Sequence, residues 1–287
     1  MTGRLVATGV VAVLTMSAVP VLVKSTEANS VTIGIVRLLI AVAAFAPVVL
    51  YRGRLLDLAA QQWRRLLVIG LVFGAHWLAY FMSIKLATAA VAALTILTYS
   101  VQYLILAWLF NGERVSAVEW LAIGLCFIGC LVVAPEFSLG NDVTAGIAIG
   151  LFSALLYAAL PLLHQRASDI ETTERAFGQF LFALPVFVPF LGLANWDLRV
   201  TDVYQLLVLG LLCTVVSHTL WVKATTELPA IYASMIYFLY LPGAFVGSVL
   251  FLGEEATIRK LAGCTIVLGA SAALSLYRYR RQSASGR

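Results

Sequence analysis

The side chains with the most chemical reach in this sequence lie inside apolar runs. Arg37 sits in the run 31–50, about six residues from its start, or about 9 Å of depth along a helix. A guanidinium there either attracts an anionic group such as a carboxylate, or snorkels outward and holds helix-end carbonyls. His76, Trp77 and Tyr80 stand together in the run 66–84, with His76 and Tyr80 on one helical face. His218 and Trp221 repeat the pairing in the run 203–222. Histidines and aromatic rings on two helices suit a cavity. Ring faces can hold an ammonium or an apolar body, and an imidazole titrates near neutrality. The plainer alternative makes each histidine a satisfied interhelical donor.

Helical spacing adds further polar groups. Thr95, Tyr99 and Gln102 follow one another at four and three residues, which places hydroxyls and an amide on one face. Ser153 and Tyr157 are four apart, and Tyr232, Tyr237 and Tyr240 share the run 228–251. The expected solute-binding set is therefore His76, Trp77, Tyr80, Thr95, Tyr99, Gln102, Tyr157, His218, Trp221 and Tyr237, with Arg37 as an anion-binding or structural group. Gln179 reads as a cavity residue or as interhelical glue. No catalytic residue is expected, because neither His76 nor Ser217 with His218 has an acid to complete it. Cys126 and Cys130 are one turn apart without histidines or carboxylates nearby, so no metal is expected. No phosphate-binding loop is present, and no cofactor is expected.

The elements that must position these groups follow from composition. Of 287 residues, 62% are hydrophobic and 11% charged, with mean hydropathy +0.97. A soluble domain averages about 25% charged. Such a chain cannot cover a water-facing surface, which excludes a soluble enzyme, a disordered chain and a collagen-like rod. Ten apolar segments emerge: 4–23, 31–50, 66–84, 87–109, 117–134, 143–163, 176–193, 203–222, 228–251 and 258–276. None alternates with period two, and backbone in lipid must bond internally, so all should be helices. The first segment reads as a retained helix, not a cleaved signal. Breaks are expected at 24–30, 52–65, 111–119, 135–142, 164–175 and 194–202.

With the N-terminus in the cytoplasm, thirteen of the 19 Lys and Arg fall on the cytoplasmic side. Five (Lys24, Lys85, Arg199, Arg259 and Lys260) fall outside, and Arg37 lies within a span. That bias predicts both termini in the cytoplasm of a multi-pass membrane protein. Arg278, Arg280 and Arg281 form a membrane-edge anchor, and no nucleic-acid partner is expected despite a net charge of +5. The expected partners are lipid and a small-molecule substrate. Small-residue faces such as Gly124 with Ala117 and Cys126 serve internal packing or a dimer. Internal packing, hence a monomer, is the expectation.

The sequence also echoes itself. Gly70, His76, Trp77, Tyr99, Gly112 and Glu113 correspond to Gly210, His218, Trp221, Tyr240, Gly253 and Glu254. The offset is half the chain, so each copy holds five helices and the second enters the membrane in the opposite sense. The fold expected is all-α, with ten transmembrane helices in two inverted five-helix repeats.

At this level the chain resembles the drug/metabolite transporter superfamily, specifically its ten-helix EamA-type exporters. The motifs are "NGERVSAVEWLAIGLCFIGCLVV" from Asn111, "LGEEATIRKLAGCTIVLGA" from Leu252, and "IVRLLIAV" around Arg37. The first helix shows Thr15, Met16, Ser17 and Pro20 in place of that family's usual tryptophan and glycine pair, and Thr88 and Val101 replace prolines found in the second half. The resemblance implies EamA-like repeats over 1–135 and 143–277, with a basic cytoplasmic tail over 278–287. It also implies a central cavity lined by helices one, three, four, six, eight and nine. The function it implies is secondary active export of small organic metabolites, amino acids or related solutes first among them, by alternating access. Uptake or exchange of a nucleotide-sugar or phosphate-bearing solute is the alternative within transport, and a membrane scaffold the alternative outside it.

Overall fold

A computed structural model describes residues 2–86, 89–133, 141–253 and 255–285. The chain is an all-α polytopic membrane protein. Its helices are α1 (Thr2–Met16), α2 (Val19–Ser25), α3 (Ser30–Arg52), α4 (Ala60–Leu86), α5 (Ala89–Leu97), α6 (Tyr99–Asn111) and α7 (Ala117–Val133). They continue with α8 (Asn141–Arg166), α9 (Thr172–Phe187), α10 (Val200–Gly210), α11 (Ser217–Glu227), α12 (Ala230–Tyr237), α13 (Tyr240–Leu252) and α14 (Ile258–Ser285). A 3₁₀ turn over Val188–Leu193 extends α9, and a π-helical segment over Leu211–Val216 joins α10 to α11. Among the described residues, eight continuous helical stretches are long and apolar enough to cross a bilayer, and α7 is a shorter apolar helix. Leu109, Leu121, Leu193 and Leu250 are each 60% or more exposed, which in water would be an aggregation surface and in lipid is the expected outer face.

Several expected segments are broken. The run 4–23 divides at Ser17 and Ala18, 87–109 at Thr98, and 228–251 at Phe238 and Leu239. The break expected over 164–175 is shorter, because α8 continues to Arg166 and α9 begins at Thr172. Most prolines begin helical segments instead of kinking them. Pro20 opens α2, Pro189 opens the 3₁₀ turn, Pro229 precedes α12, and Pro242 lies in the first turn of α13. A missing N–H costs nothing there. Pro47, Pro161 and Pro185 are interior. The stretch 135–140, Thr88 and Glu254 lie outside the described residues, and so do the side chains of the basic tail.

Helix ends explain both glycines of the doubled Gly-Glu and the first glutamate. Gly112 and Gly253 take φ of 68° and 66°, a left-handed conformation that stops α6 and α13 and that glycine adopts without steric cost. Beyond Gly112, the Glu113 Oε2 accepts the backbone N–H of Ala230 at 3.0 Å, capping α12 from the other half of the chain. Replacing Glu113 with alanine should cost about 1 kcal/mol, the usual worth of a helix cap, and lower the thermal unfolding midpoint in detergent. Glu113→Gln keeps an acceptor and should lose less. Equal midpoints for wild type and Glu113→Ala would remove the capping role.

Packing joins the two halves throughout. The helix α4 packs on α8 and α9, α1 on α11, α3 on α9, α6 on α12, and α7 on α14. Ser100 and Ser234 exchange hydrogen bonds across α6 and α12, each hydroxyl donating to the other's carbonyl at 2.9 and 3.0 Å. Cys126 and Cys130 are buried, with Cys126 Sγ near the Val267 carbonyl of α14. A Cβ on Gly129 would meet the Gly263 carbonyl at 2.8 Å, whereas one on Gly124 would meet nothing within 4 Å. The small face of α7 thus divides: Cys126 and Gly129 pack internally, while Gly124 and Ala117 face outward.

Candidate functional site

Two small cavities lie end to end in the centre of the molecule. The larger, about 30 Å³, is lined by Met16 and Val19 from the first pass, Arg37 from α3, and His76, Trp77, Tyr80 and Phe81 from α4. Ile96, Tyr157, His218, Tyr237 and Tyr240 complete it from α5, α8, α11, α12 and α13. The smaller, about 10 Å³, is lined by Phe73, Tyr157, Leu160, Pro161, His164, Gln179, His218, Trp221, Val222 and Thr225. Tyr157 and His218 belong to both walls. A water needs roughly 10–15 Å³, so the larger space admits about two waters as it stands. An organic solute therefore requires the walls to part.

Arg37 is 1% exposed and dominates the larger cavity. Its Nε donates to Thr214 Oγ1 at 3.0 Å, and Nη2 reaches the Cys213 carbonyl at 3.5 Å. The guanidinium carbon lies 4.1 Å from the Trp77 ring centroid and 5.6 Å from that of Phe81. A buried charge costs several kcal/mol of desolvation, of which a desolvated cation–π contact returns about 2 or more. The π-helical segment supplies the partners, since its wider turn sends Thr214 Oγ1 back to the Leu209 carbonyl at 2.7 Å and leaves the hydroxyl oxygen facing Arg37. Such bulges recur at functional sites.

His76 is tied to α8. Its Nδ1 lies 3.0 Å from the Ser153 carbonyl and 2.8 Å from Ser153 Oγ, which in turn donates to the His76 carbonyl at 2.9 Å. A carbonyl only accepts, and the Ser153 hydroxyl proton is already given to the His76 carbonyl, so Nδ1 is a donor. The ring stacks on Tyr157 with centroids 4.4 Å apart. His218 packs edge-on to Phe73 and Trp77, at 5.2 and 5.5 Å. Tyr80 and Tyr240 join hydroxyls at 3.1 Å, bridging α4 and α13. Tyr99 sits behind this wall, 4.8 Å from Tyr157 and 4.6 Å from Tyr237, with its hydroxyl buried and unpartnered.

Of the residues singled out by sequence, Arg37, His76, Trp77, Tyr80, Tyr157, His218 and Tyr237 meet at the larger cavity, and Trp221 at the smaller. Tyr99 stands one layer out. Thr95 turns back to the Ala92 carbonyl at 2.8 Å, and Gln102 bonds Thr98 Oγ1 at 3.0 Å, so neither reaches a cavity wall. Gln179 meets His164 at 2.7 Å, and both line the smaller cavity. Sequence reasoning left His164 in a loop. Its signal was proximity to Pro161 and Tyr157 at helical spacing within an apolar run. Met16, Val19, Phe81 and Ile96 carry no polar group and have no signal of their own.

Each end of the molecule carries a polar seam between the halves. At one end, Arg65 Nη1 and Nη2 donate to the two Asp169 oxygens, both at 2.7 Å, Gln62 Nε2 donates to Asp169 at 2.9 Å, and Arg54 pairs with Glu171 at 3.1 Å. At the other, Asn195 Oδ1 accepts from the Asn29 N–H at 2.7 Å, and Asp202 Oδ1 accepts from Thr26 Oγ1 at 3.0 Å and the Glu27 N–H at 2.9 Å. The Arg65 hydrogen bonds hold the Asp169 carboxyl below the ordinary aspartate range. A lowered carboxyl stabilises above its unfolded value and loses that contribution as pH falls through its folded value. The midpoint gap between wild type and Asp169→Asn should therefore be constant from pH 5 to 8 and vanish in acid. The gap itself should be under about 1 kcal/mol, because the pair is solvent-exposed.

The EamA-like transporter family profile matches residues 3–134 and 144–276, nearly the whole chain. The chain belongs to this EamA-like transporter family. Among relatives, an uncharacterized transporter in the cobO 3′ region of Sinorhizobium sp. is 38% identical over 79 residues, which is 27% of this chain and 55% of the relative. The uncharacterized transporter YxxF of Bacillus subtilis is 23% identical over 207 residues, 71% of this chain and 66% of its own. The matches thus span about half to two thirds of those relatives' lengths. One crystal structure superposes with a TM-score of 0.81 at 17% identity, over 97% of this chain and 98% of its own. That likeness shows a shared fold. EamA-like membership places the chain among transporters, not enzymes.

Proposed function

We propose that this EamA-like protein is a secondary active transporter that exports small organic metabolites, with amino acids and related solutes first among them. Its architecture is read as ten spans in two inverted five-helix repeats, 1–135 and 143–277, with both termini and the basic tail 278–287 in the cytoplasm of a bacterial inner membrane. Helix pairing supports the repeat: α4 on α8 has its counterpart in α11 on α1, and α3 meets α9 as α7 meets α14. The observation that carries the function is a polar and aromatic cavity between the halves, walled by helices from both, with a hydrogen-bonded seam at each end. That is the anatomy alternating access needs.

The test is counterflow in proteoliposomes with labelled amino acids and other metabolites. Saturable exchange separates a carrier from a channel, and binding without flux indicates a scaffold. His76→Ala and His218→Ala should each slow initial exchange about tenfold, roughly the loss of one buried polar contact. Unchanged exchange in both variants would detach the cavity from transport.

A further inference from the structure

Resting on the reading of the larger cavity as the solute site, we propose that it is a receptor for small organic carboxylates. Arg37 anchors the carboxylate, and an amino group on the solute is dispensable. The argument begins with an unbalanced charge. Every ion pair among the described residues lies at an end of the molecule: Arg54 with Glu171, Arg65 with Asp169, and Arg199 with Glu27 and Asp202. Arg37 has none, although it is 1% exposed. Arg175, 3% exposed, also lacks an ion pair, but its fork makes three hydrogen bonds of 3.1 Å or less to neutral acceptors. Arg37 makes one at 3.0 Å and one at 3.5 Å, so its charge is compensated by far less, and an anion would supply the difference.

The unused donors point the same way. A guanidinium has five N–H groups, and Arg37 commits Nε to Thr214 and one Nη2 proton, at 3.5 Å, to Cys213. Nη1 makes no hydrogen bond to any described residue. The Trp77 ring, 4.1 Å from the guanidinium carbon, supports the group from one side. The Tyr80 and Tyr240 hydroxyls, on the same cavity wall, share one hydrogen bond. That bond uses one of their two protons and leaves the other to donate. An arginine fork with a nearby phenol proton is what a carboxylate accepts from.

The wall has nothing equivalent for a cation. Among the described residues, no Asp or Glu lines either cavity. An ammonium would meet ring faces and the imidazoles of His76 and His218, in the same space as the like charge of Arg37. The ring faces of Tyr157, Tyr237 and Tyr240 suit an apolar body behind the carboxylate.

The experiment uses the purified full-length protein in detergent and two matched sets of probes: valine, isovalerate and isobutylamine, and phenylalanine, 3-phenylpropanoate and 2-phenylethylamine. Binding is read by tryptophan fluorescence, since Trp77 and Trp221 border the cavities, and by thermal shift. The acids should bind within tenfold of their amino acids, and the amines at least tenfold more weakly. Arg37→Gln should weaken acid binding more than tenfold, with Arg37→Lys retaining part of it. Tyr240→Phe keeps the ring and should cost the acids a few-fold, which tests the site in a variant whose packing is preserved. Amines that match the acids, amino acids that surpass the acids by more than tenfold, acids that bind Arg37→Gln as they bind wild type, or no carboxylate binding at all would each overturn the proposal. Carboxylates that bind but are never carried would sink the transport reading and leave this one standing. Amino acid flux unaffected in Arg37→Gln would do the reverse.

Discussion

Gly70→Leu should abolish the folded protein, or lower its unfolding midpoint more than any single change at the cavity. A Cβ on Gly70 would lie 2.8 Å and 2.9 Å from the backbone carbon and Cα of Phe182, and one on Gly74, a turn later, 2.8 Å from the Ala183 carbonyl. Both obstacles include backbone, which cannot rotate out of the way. The α4 and α9 helices must then separate, and α4 carries His76, Trp77 and Tyr80. Overpacking a well-filled core costs about 1–3 kcal/mol, and a leucine driven into backbone belongs at or above the upper end. In lipid there is no hydrophobic drive to hold separated helices, so close approach at small residues matters more. Gly124→Ala is the control. It adds a methyl to open space on α7 and should leave the midpoint equal or slightly raised. Size-exclusion profiles and thermal melts in one detergent decide the matter. Equal melts for Gly70→Leu and Gly124→Ala would show that the α4–α9 contact is not as tight as described.

How much of this could be read from the residues depends on which physical property each feature leaves in the sequence. Apolar length is a direct record of the bilayer, and the long apolar helices are legible in the sequence for that reason. Breaks within spans are not. Thr98 and the pair Phe238–Leu239 interrupt helices without glycine or proline at the break, and hydropathy does not register a change in φ and ψ. The π-helical turn at Leu211–Val216 is silent for the same reason, yet it delivers Thr214 to Arg37. The broken helix also explains the position of Thr95 and Gln102. They share a face of one ideal helix, but Thr95 ends up on α5 and Gln102 on α6, with Thr98 between them. Charge misleads in another way. Arg175 reads as a loop residue, but its Nη1 donates to the His164 carbonyl and Thr226 Oγ1, both at 2.8 Å, and its Nη2 to Thr172 Oγ1 at 3.1 Å. Enough acceptors converge to hold it 3% exposed. Spacing on one element showed the His76–Tyr80 face, whereas the partners that give it meaning (Ser153 and Tyr157 on α8) come from the other half of the chain.

Cross-linking either seam should stop transport. The seam at one end joins the loop after α3 and the start of α4 to the loop between α8 and α9, through Arg54 with Glu171 and through Gln62 and Arg65 with Asp169. The seam at the other joins the loop between α2 and α3 to the segment after the 3₁₀ turn, through Asn29, Thr32 and Asn195. The linked loops occupy corresponding places in the two halves, so each seam is the image of the other under the proposed repeat. With both closed, the cavity holds about 30 Å³ and admits no metabolite. Alternating access then requires the seams to part in turn. Cysteines at Gln62 and Asp169 place thiols where side chains already meet, at 2.9 Å, and cysteines at Asn29 and Asn195 place them across the contact of the Asn195 side chain with the Asn29 backbone. The native Cys126, Cys130, Cys213 and Cys264 are buried and can remain. Bridging either pair with a short reducible bifunctional thiol reagent should cut counterflow roughly tenfold or more, the signature of a blocked conformational step, and reduction should restore it. Binding of the solute should survive the cross-link less well than the fold, because entry needs one seam open. Complete bridging of both pairs with full exchange would mean that solute passes without the halves moving, and the protein would then be a channel through its own cavity.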